Sequence, residues 1–413
     1  MFKNMVASVD TQNDNFVGLK FFDGKPLVIF PRGYELSDDE DTIRHDIIRL
    51  IATIQKFSGR YEGTIIKNST GDTSLSMPFL SYQYVIYDFL AHGYYTENEV
   101  NYIENTKGKI NWKRTIQKEQ PKINNGNVVY LKFITKTNKI NDNNLITKIH
   151  EFCVYESFTK LGWLFIGKDI KPKKPTIKFN RTTFISVLKQ ELGNTFNDRK
   201  RMLFQSMLNI ISQTDDKFGD NFNDAFGVNR FEYVWEGMID YVFGEENKDE
   251  FFPHAKWHIV KGNGYTVESS ALEPDTIMLQ NGKCYILDAK YYNYGISWNP
   301  NALPASSSIE KQIVYGEYVE QNKGFDSESI YNAFLMPFNA KTYNSGVPYK
   351  FVSVGTADWK LDSLDKKYHY VLGILVDTKY LIDNYSKHNK SDIEKMSDLI
   401  EQSYAVYKAK IME

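Results

Sequence analysis

Cysteine is nearly absent: only Cys153 and Cys284 occur in 413 residues, far apart and without a CxxC partner. That excludes a zinc knuckle and a disulfide framework, and leaves two buried free thiols as the expectation. No apolar run reaches the ~18 residues of a membrane-spanning helix, and residues 1–10 lack the basic-then-apolar pattern of a secretory signal. The chain is therefore expected in the cytoplasm with no membrane contact. Net charge is also scarce, −2 at neutral pH, so any nucleic-acid binding must come from local basic patches and not from a bulk positive field. A nucleotide-binding loop is missing. Each Gly-Lys pair (24–25, 108–109, 167–168, 282–283) is followed by Pro, Ile, Asp or Cys, never by the Ser or Thr such a loop needs. There is no internal repeat, no low-complexity tail, and no Gly-x-Ser-x-Gly elbow for a hydrolase triad.

What is present is a globular composition, 42% apolar and 25% charged, long enough for two or three cores. Residues 16–22 and 27–30 read as a hairpin around Asp23-Gly24, followed by a helix from about Ser37 with an acidic start. Helical patterns near 77–91 and 96–105 come next, then strands and polar turns over 122–144. A helical section runs to about Asp224, broken at 171–175 by prolines. From Asn229 the order is helix, strand, strand, helix, strand, with later strands at 351–354 and 370–376. The reading is an α/β (α+β) protein in three segments: 1–140, a mixed domain that binds DNA or a partner; 141–224, helical; and 225–413, a compact domain with a mixed sheet flanked by helices.

Residues 266–292, TVESSALEPDTIMLQNGKCYILDAKYY, carry the chemistry. Strand-like runs 273–279 and 284–291 flank Asn281-Gly282, a pair suited to the positive φ of a type I′ turn. Pairing Gln280 with Lys283 and counting back puts Asp275 opposite Asp288 and Glu273 opposite Lys290. Opposed residues have Cβ atoms about 4.5–5.5 Å apart, and like charges so placed destabilise a sheet unless a cation lies between them. Mg²⁺, with Mn²⁺ as substitute, takes one or two carboxylates together with water and phosphate oxygens. Alternation puts Lys290 on the same face, to orient or deprotonate the attacking water or to neutralise charge on the phosphorane; the Ala289 carbonyl adds a ligand. Two segments, 107–122 and 168–181, each carry six basic residues against one acidic. Beside Trp112 and Phe179 they nominate Lys113, Arg114, Lys173 and Lys174 as contacts to double-stranded DNA.

Glu-Pro-Asp275 followed after a hairpin by Asp288-Ala-Lys290 resembles the PD-(D/E)xK nuclease superfamily. The resemblance implies a glutamate from a preceding helix, here Glu236 or, one turn earlier, Glu232, beside the apolar stripe Phe231, Val234, Trp235, Met238, Ile239 and Val242. It also implies a later helix that returns a Lys or Gln, here Lys311 or Gln312, capped by Ser306–Ser308 and followed by Tyr315. Gly108-Lys-Ile-Asn-Trp-Lys-Arg-Thr-Ile116, Leu145-Ile-Thr-Lys-Ile-His150, Leu161-Gly-Trp-Leu-Phe165 and Phe231-Glu-x-x-Trp-Glu236 together resemble the LlaJI restriction endonucleases, relatives of the McrC nuclease subunit, from about Tyr82 to Ile374. That likeness implies a restriction-endonuclease-like fold and a Mg²⁺-dependent restriction endonuclease that defends its host against foreign DNA. The expected partners are a second copy in a homodimer or a separate McrB-like AAA+ GTPase.

Blander readings stand beside these. The two aspartates as solvated strand ends, Glu232, Glu236 and Asp240 as the wet edge of an amphipathic helix, and the lysines as a solvated face each fit the local pattern. His254 and His258 have the spacing of a metal pair, but Pro253 and a strand-like Trp257–Val260 disfavour a helical zinc site. The functional alternative is a DNA-binding or scaffolding protein with a nuclease-like core that no longer cuts.

Overall fold

The computed structural model describes residues 5–10, 16–58, 78–105, 107–141, 144–166, 170–214, 225–260, 265–343, 350–358 and 366–412. The chain forms two compact units, residues 1–76 with 221–413, and residues 77–220. This corrects the three consecutive segments read from the sequence. The cause is strand pairing: Ala225–Val228 lies antiparallel to Val17–Phe22, so the N-terminal hairpin joins the C-terminal part of the chain.

In the first unit, the hairpin of Val17–Phe22 and Lys25–Phe30 closes as expected, with positive φ at Asp23 and Gly24. Val6–Val9 adds to it in parallel, completing a four-stranded sheet. The larger sheet runs Thr276–Gln280, Lys283–Ala289, Ile330–Phe338, Val371–Asp377, Phe351–Ala357. Its middle pairings are parallel and its outer ones antiparallel, the mixed sheet expected of an α+β fold. Ile330–Phe338 is buried at every position, as a central strand covered on both faces must be.

Side-chain alternation sorts the covering helices. Ile277, Cys284, Ile286 and Ile330 pack with Tyr315 and Val319 of helix Ser306–Lys323. On the opposite face Tyr285 reaches Glu401 of helix Lys390–Met412 (2.6 Å), and helix Phe231–Phe243 packs beside that helix. The apolar stripe read from the sequence is this buried face: Phe231, Val234, Trp235, Met238, Ile239 and Val242 are all in the core.

The second unit holds helices Phe79–His92, Leu145–Phe165, Arg181–Asn194 and Asp198–Gln213, a sheet of Glu97–Glu104, Ile134–Asn141 and Lys109–Ile110, and the hairpin Lys122–Asn124 with Asn127–Val129. The expected helix over 96–105 is instead strand Glu97–Glu104, because its eight residues pair one by one with Ile134–Asn141 and partner strands override weak local propensity. Cys153 and Cys284 are buried free thiols, and burial pushes the Cys284 thiol up to about 12. No described helix is long and apolar enough to cross a membrane.

Candidate active site

The hairpin that carries Asp275 and Asp288 has the expected turn and register. Asn281 and Gly282 take φ of 50° and 73°, and pairing runs from Gln280↔Lys283 to Thr276↔Leu287. The ladder then stops one step short of the aspartates. Pro274 has no N–H to continue it, and Asp275 instead accepts the Ala289 amide on Oδ2 at 2.8 Å. The two carboxyls nevertheless interact: burial, then the charge of Asp288 and hydrogen bonding with it, then Glu236 push Asp275 up to about 8.

Lys290 does not sit opposite Glu273. The strand ends at Ala289, the Lys290 amide donates to the Leu335 carbonyl (2.9 Å), and the ammonium pairs with Asp288. Burial works against that charge, but Asp288 and Asp275 together outweigh it and leave the Lys290 pKa raised. Glu236 lies on helix Phe231–Phe243, which packs on the sheet, and its charge is felt at Asp275. It lines a cleft of about 260 Å³ with Asp240, Lys248, Glu273 and Asp275, and a second cavity of about 440 Å³ with Ala289 and Lys290. Among the described residues no three His, Cys, Asp or Glu side chains converge in a cluster able to hold a metal. The three-carboxylate set expected of Asp275, Asp288 and Glu236 is therefore not assembled. Glu232 is engaged by Arg230 at 2.6 Å.

Gln312 is fully buried, and neither of its side-chain polar atoms has a hydrogen-bond partner among the described residues. Its backbone carbonyl takes Asn332 Nδ2 at 2.9 Å. Lys311 is exposed, and helix Ser306–Lys323 begins at Ser306 with Ala305, not a serine, in the capping position. The residue of this helix that senses the aspartates is Tyr315, one turn after Gln312. Burial first, then the charges of Asp288, Asp275 and Glu273, push its phenol up to about 12. Its i+3 spacing from Gln312 was the signal that could have nominated it. Lys248 had no such signal: its Nζ donates to the Asp275 carbonyl (2.5 Å) and to Asp240 Oδ1 (2.9 Å), tying the strand start to the glutamate helix.

His254 and His258 are exposed on strand His254–Ile259, with Thr266 Oγ1 3.3 Å from His258 Nδ1. In the second unit Lys113 and Arg114 are exposed on helix Trp112–Lys118, whose N-cap Asn111 accepts the Arg114 amide. The Arg114 guanidinium lies 3.7 Å from the Tyr102 ring centre. Lys173 and Lys174 are exposed in an extended segment, where the Lys173 amide donates to Tyr94 Oη at 3.0 Å.

Two carboxyls buried side by side resist joint ionisation, and a divalent cation between them would relieve that repulsion. Two carboxylates and a nearby carbonyl suit Mg²⁺, which keeps several waters, better than an ion needing an all-protein cage.

The "Type II restriction enzyme BsuMI component YdjA" of Bacillus subtilis is 25% identical over 398 residues, covering 91% of this chain and 84% of that protein. A chain from the assembly of Thermococcus gammatolerans McrB AAA+ hexamers with bound McrC aligns over 94% of this chain and 83% of its own length, at 16% identity and a TM-score of 0.38. The family model of the LlaJI restriction endonuclease matches residues 16–367, most of the chain and both aspartates included, and the protein belongs to that family.

Proposed function

We propose that this chain is the nuclease component of a restriction system, hydrolysing DNA phosphodiester bonds with Mg²⁺ held between Asp275 and Asp288. The observation that carries the reading is the end of the hairpin, where Asp275 and the buried Asp288 interact and Lys290 pairs with Asp288. When bound, the ion supplies positive charge against the phosphate; Mn²⁺ suits the same oxygen ligands. Asp275 and Asp288 hold it, with the Ala289 carbonyl as a neighbouring ligand. Lys290 brings an ammonium to the charge that develops on phosphate oxygens, and Asp288 keeps that ammonium in place. Glu236 adds negative charge that draws the cation in from the far side of the sheet. The exposed Lys113, Arg114, Lys173 and Lys174 contact the DNA backbone, and host defence against foreign DNA is the role the family supports.

The printed name of the Bacillus subtilis relative, an enzyme component, supports a chain that works with others. Because no Gly-Lys pair here completes a nucleotide-binding loop, energy from GTP would have to come from a McrB-like partner. Purified chain is expected to cut duplex DNA with Mg²⁺, alone or once such a partner is added. Asp275→Ala and Asp288→Ala each lower cutting by roughly 10²-fold or more without loss of helix content by circular dichroism. Equal cutting by wild type and both variants would remove the site assignment. Binding without cutting under every condition would favour a DNA-binding scaffold.

A further inference from the structure

Arg32 reaches the candidate active site from the N-terminal hairpin, far from it in sequence. It lines the 440 Å³ cavity together with Glu236, Ala289 and Lys290. Its backbone amide donates to Tyr291 Oη at 2.7 Å, its Nε to Asp10 Oδ2 at 3.1 Å, and its Nη1 to the Tyr291 carbonyl at 3.3 Å. The guanidinium lies 5.2 Å from the centre of the Tyr291 ring. Tyr291 directly follows Lys290, so Arg32 is fixed to the segment that carries the candidate catalytic lysine.

This holding uses only part of what a guanidinium offers. Arginine has five N–H donors, and the Nη2 pair of Arg32 has no hydrogen-bond partner among the described residues, although the side chain is only 17% exposed. Asp10 and the Tyr291 carbonyl hold Nε and Nη1, and the residue lines the cavity. Of the other charges that line the cavity, Glu232 is held by Arg230, Lys290 by Asp288 and Asp10 by Arg32 itself, while Glu236 adds a further carboxylate. A planar fork, pre-set and partly desolvated, matches two oxygens of a phosphate diester.

We propose that Arg32 is a substrate-positioning residue that binds a backbone phosphate of the DNA beside the one cut at Asp275 and Asp288. The proposal rests on the nuclease reading but is tested on binding, which needs no cleavage. The full chain is titrated with a duplex of about 30 base pairs over a range of salt, with Ca²⁺ in place of Mg²⁺ as the oxygen-binding cation. Arg32→Gln keeps amide donors for Asp10 and Tyr291 but loses the charge. It is expected to bind about tenfold more weakly at fixed salt and to lower the slope of log affinity against log salt by about 1. Arg32→Lys should recover the slope while remaining weaker, because the charge returns without the fork. In cleavage with Mg²⁺, Arg32→Gln should raise KM more than it lowers kcat.

A slope unchanged in both variants overturns the proposal and leaves Arg32 a clamp for Asp10 and Tyr291. So does a wild-type chain that binds no DNA. If Arg32→Gln fails to fold, as judged by thermal melting, Arg32→Lys decides alone: affinity equal to wild type counts against the fork. Arg32-dependent binding by a chain that never cuts would sustain the phosphate site and sink the nuclease reading.

Discussion

At Asp275 burial, the Asp288 charge and Glu236 all favour the protonated carboxyl, and the Ala289 amide alone among the main influences opposes them. The sign of the consequence follows from linkage. The folded pKa, about 8, lies above the ordinary value of 3.8, so the folded chain holds a proton that the unfolded chain has lost between those values. Stability from this group is complete below pH ~4, declines as pH rises, and is gone above about 8. The metal-free protein is therefore expected to melt at progressively lower temperature from pH 5 to 8, and Asp275→Asn to flatten that decline. A divalent cation should raise the melting temperature more at pH 8 than at pH 5, since it competes with the proton for the same oxygens. Melting curves with and without Mg²⁺ at both pH values check all three; a Mg²⁺ effect independent of pH would contradict the shared site. Residue types alone suggested opposed carboxylates. The raised pKa of Asp275, and the attachment of Lys290 to Asp288, depend on burial that the sequence does not display.

The hairpin is the element that was most legible. Asn281-Gly282 between two apolar runs specifies a two-residue turn, and a two-residue turn fixes the register of every pair beyond it. Gly282 has open space where a Cβ would be, so Gly282→Ala meets no clash and only the strain of φ +73°. It should cost about 1 kcal/mol in denaturant unfolding while cutting by the folded enzyme is retained. A loss of cleavage larger than the loss of folded protein would mean that the turn does more than set register. The limits of the reading lie at the strand ends and among the helices. Pro274 marks the end of the ladder, yet whether Glu273 faces Lys290 depends on where the neighbouring strand takes over Lys290, here at the Leu335 carbonyl. Glu236 was legible as a polar neighbour of an apolar stripe, but not the face of the sheet on which that stripe packs. Strand Glu97–Glu104 was read as helix because its partner, Ile134–Asn141, is some 30 residues away, beyond any local window.

The whole molecule makes the unit that carries the candidate site discontinuous. Residues 16–58 supply two strands beside Ala225–Val228, the Arg32 contacts to Tyr291, and helix Glu40–Ser58, which packs on Phe231–Phe243. Phe57 of that helix is buried with its ring edge-on to Tyr241 (5.6 Å), and Asp46 takes Lys379 at 2.6 Å. Gly18 and Gly227 are close enough that a Cβ on Gly18 would lie 2.5 Å from the Gly227 Cα, so this seam admits little substitution. A fragment of residues 225–413, the expected domain, should fail to unfold cooperatively. One in which residues 77–220 are replaced by a flexible linker should melt as a single transition. Cooperative melting of the 225–413 fragment would contradict the role given to the N-terminal strands.

By itself the sequence determined what short-range rules can fix: the turn, the register, the identity of the paired aspartates, and the apolar stripe of the helix that faces the sheet. Tertiary structure alone decided that Glu236 comes from the opposite face, that Tyr315 and Lys248 stand by the aspartates, and that Arg32 borders the site. The division has a physical cause. Turn geometry and side-chain alternation act over a few residues, whereas burial, shifted pKa values and ion pairs depend on which distant segments the sheets bring together.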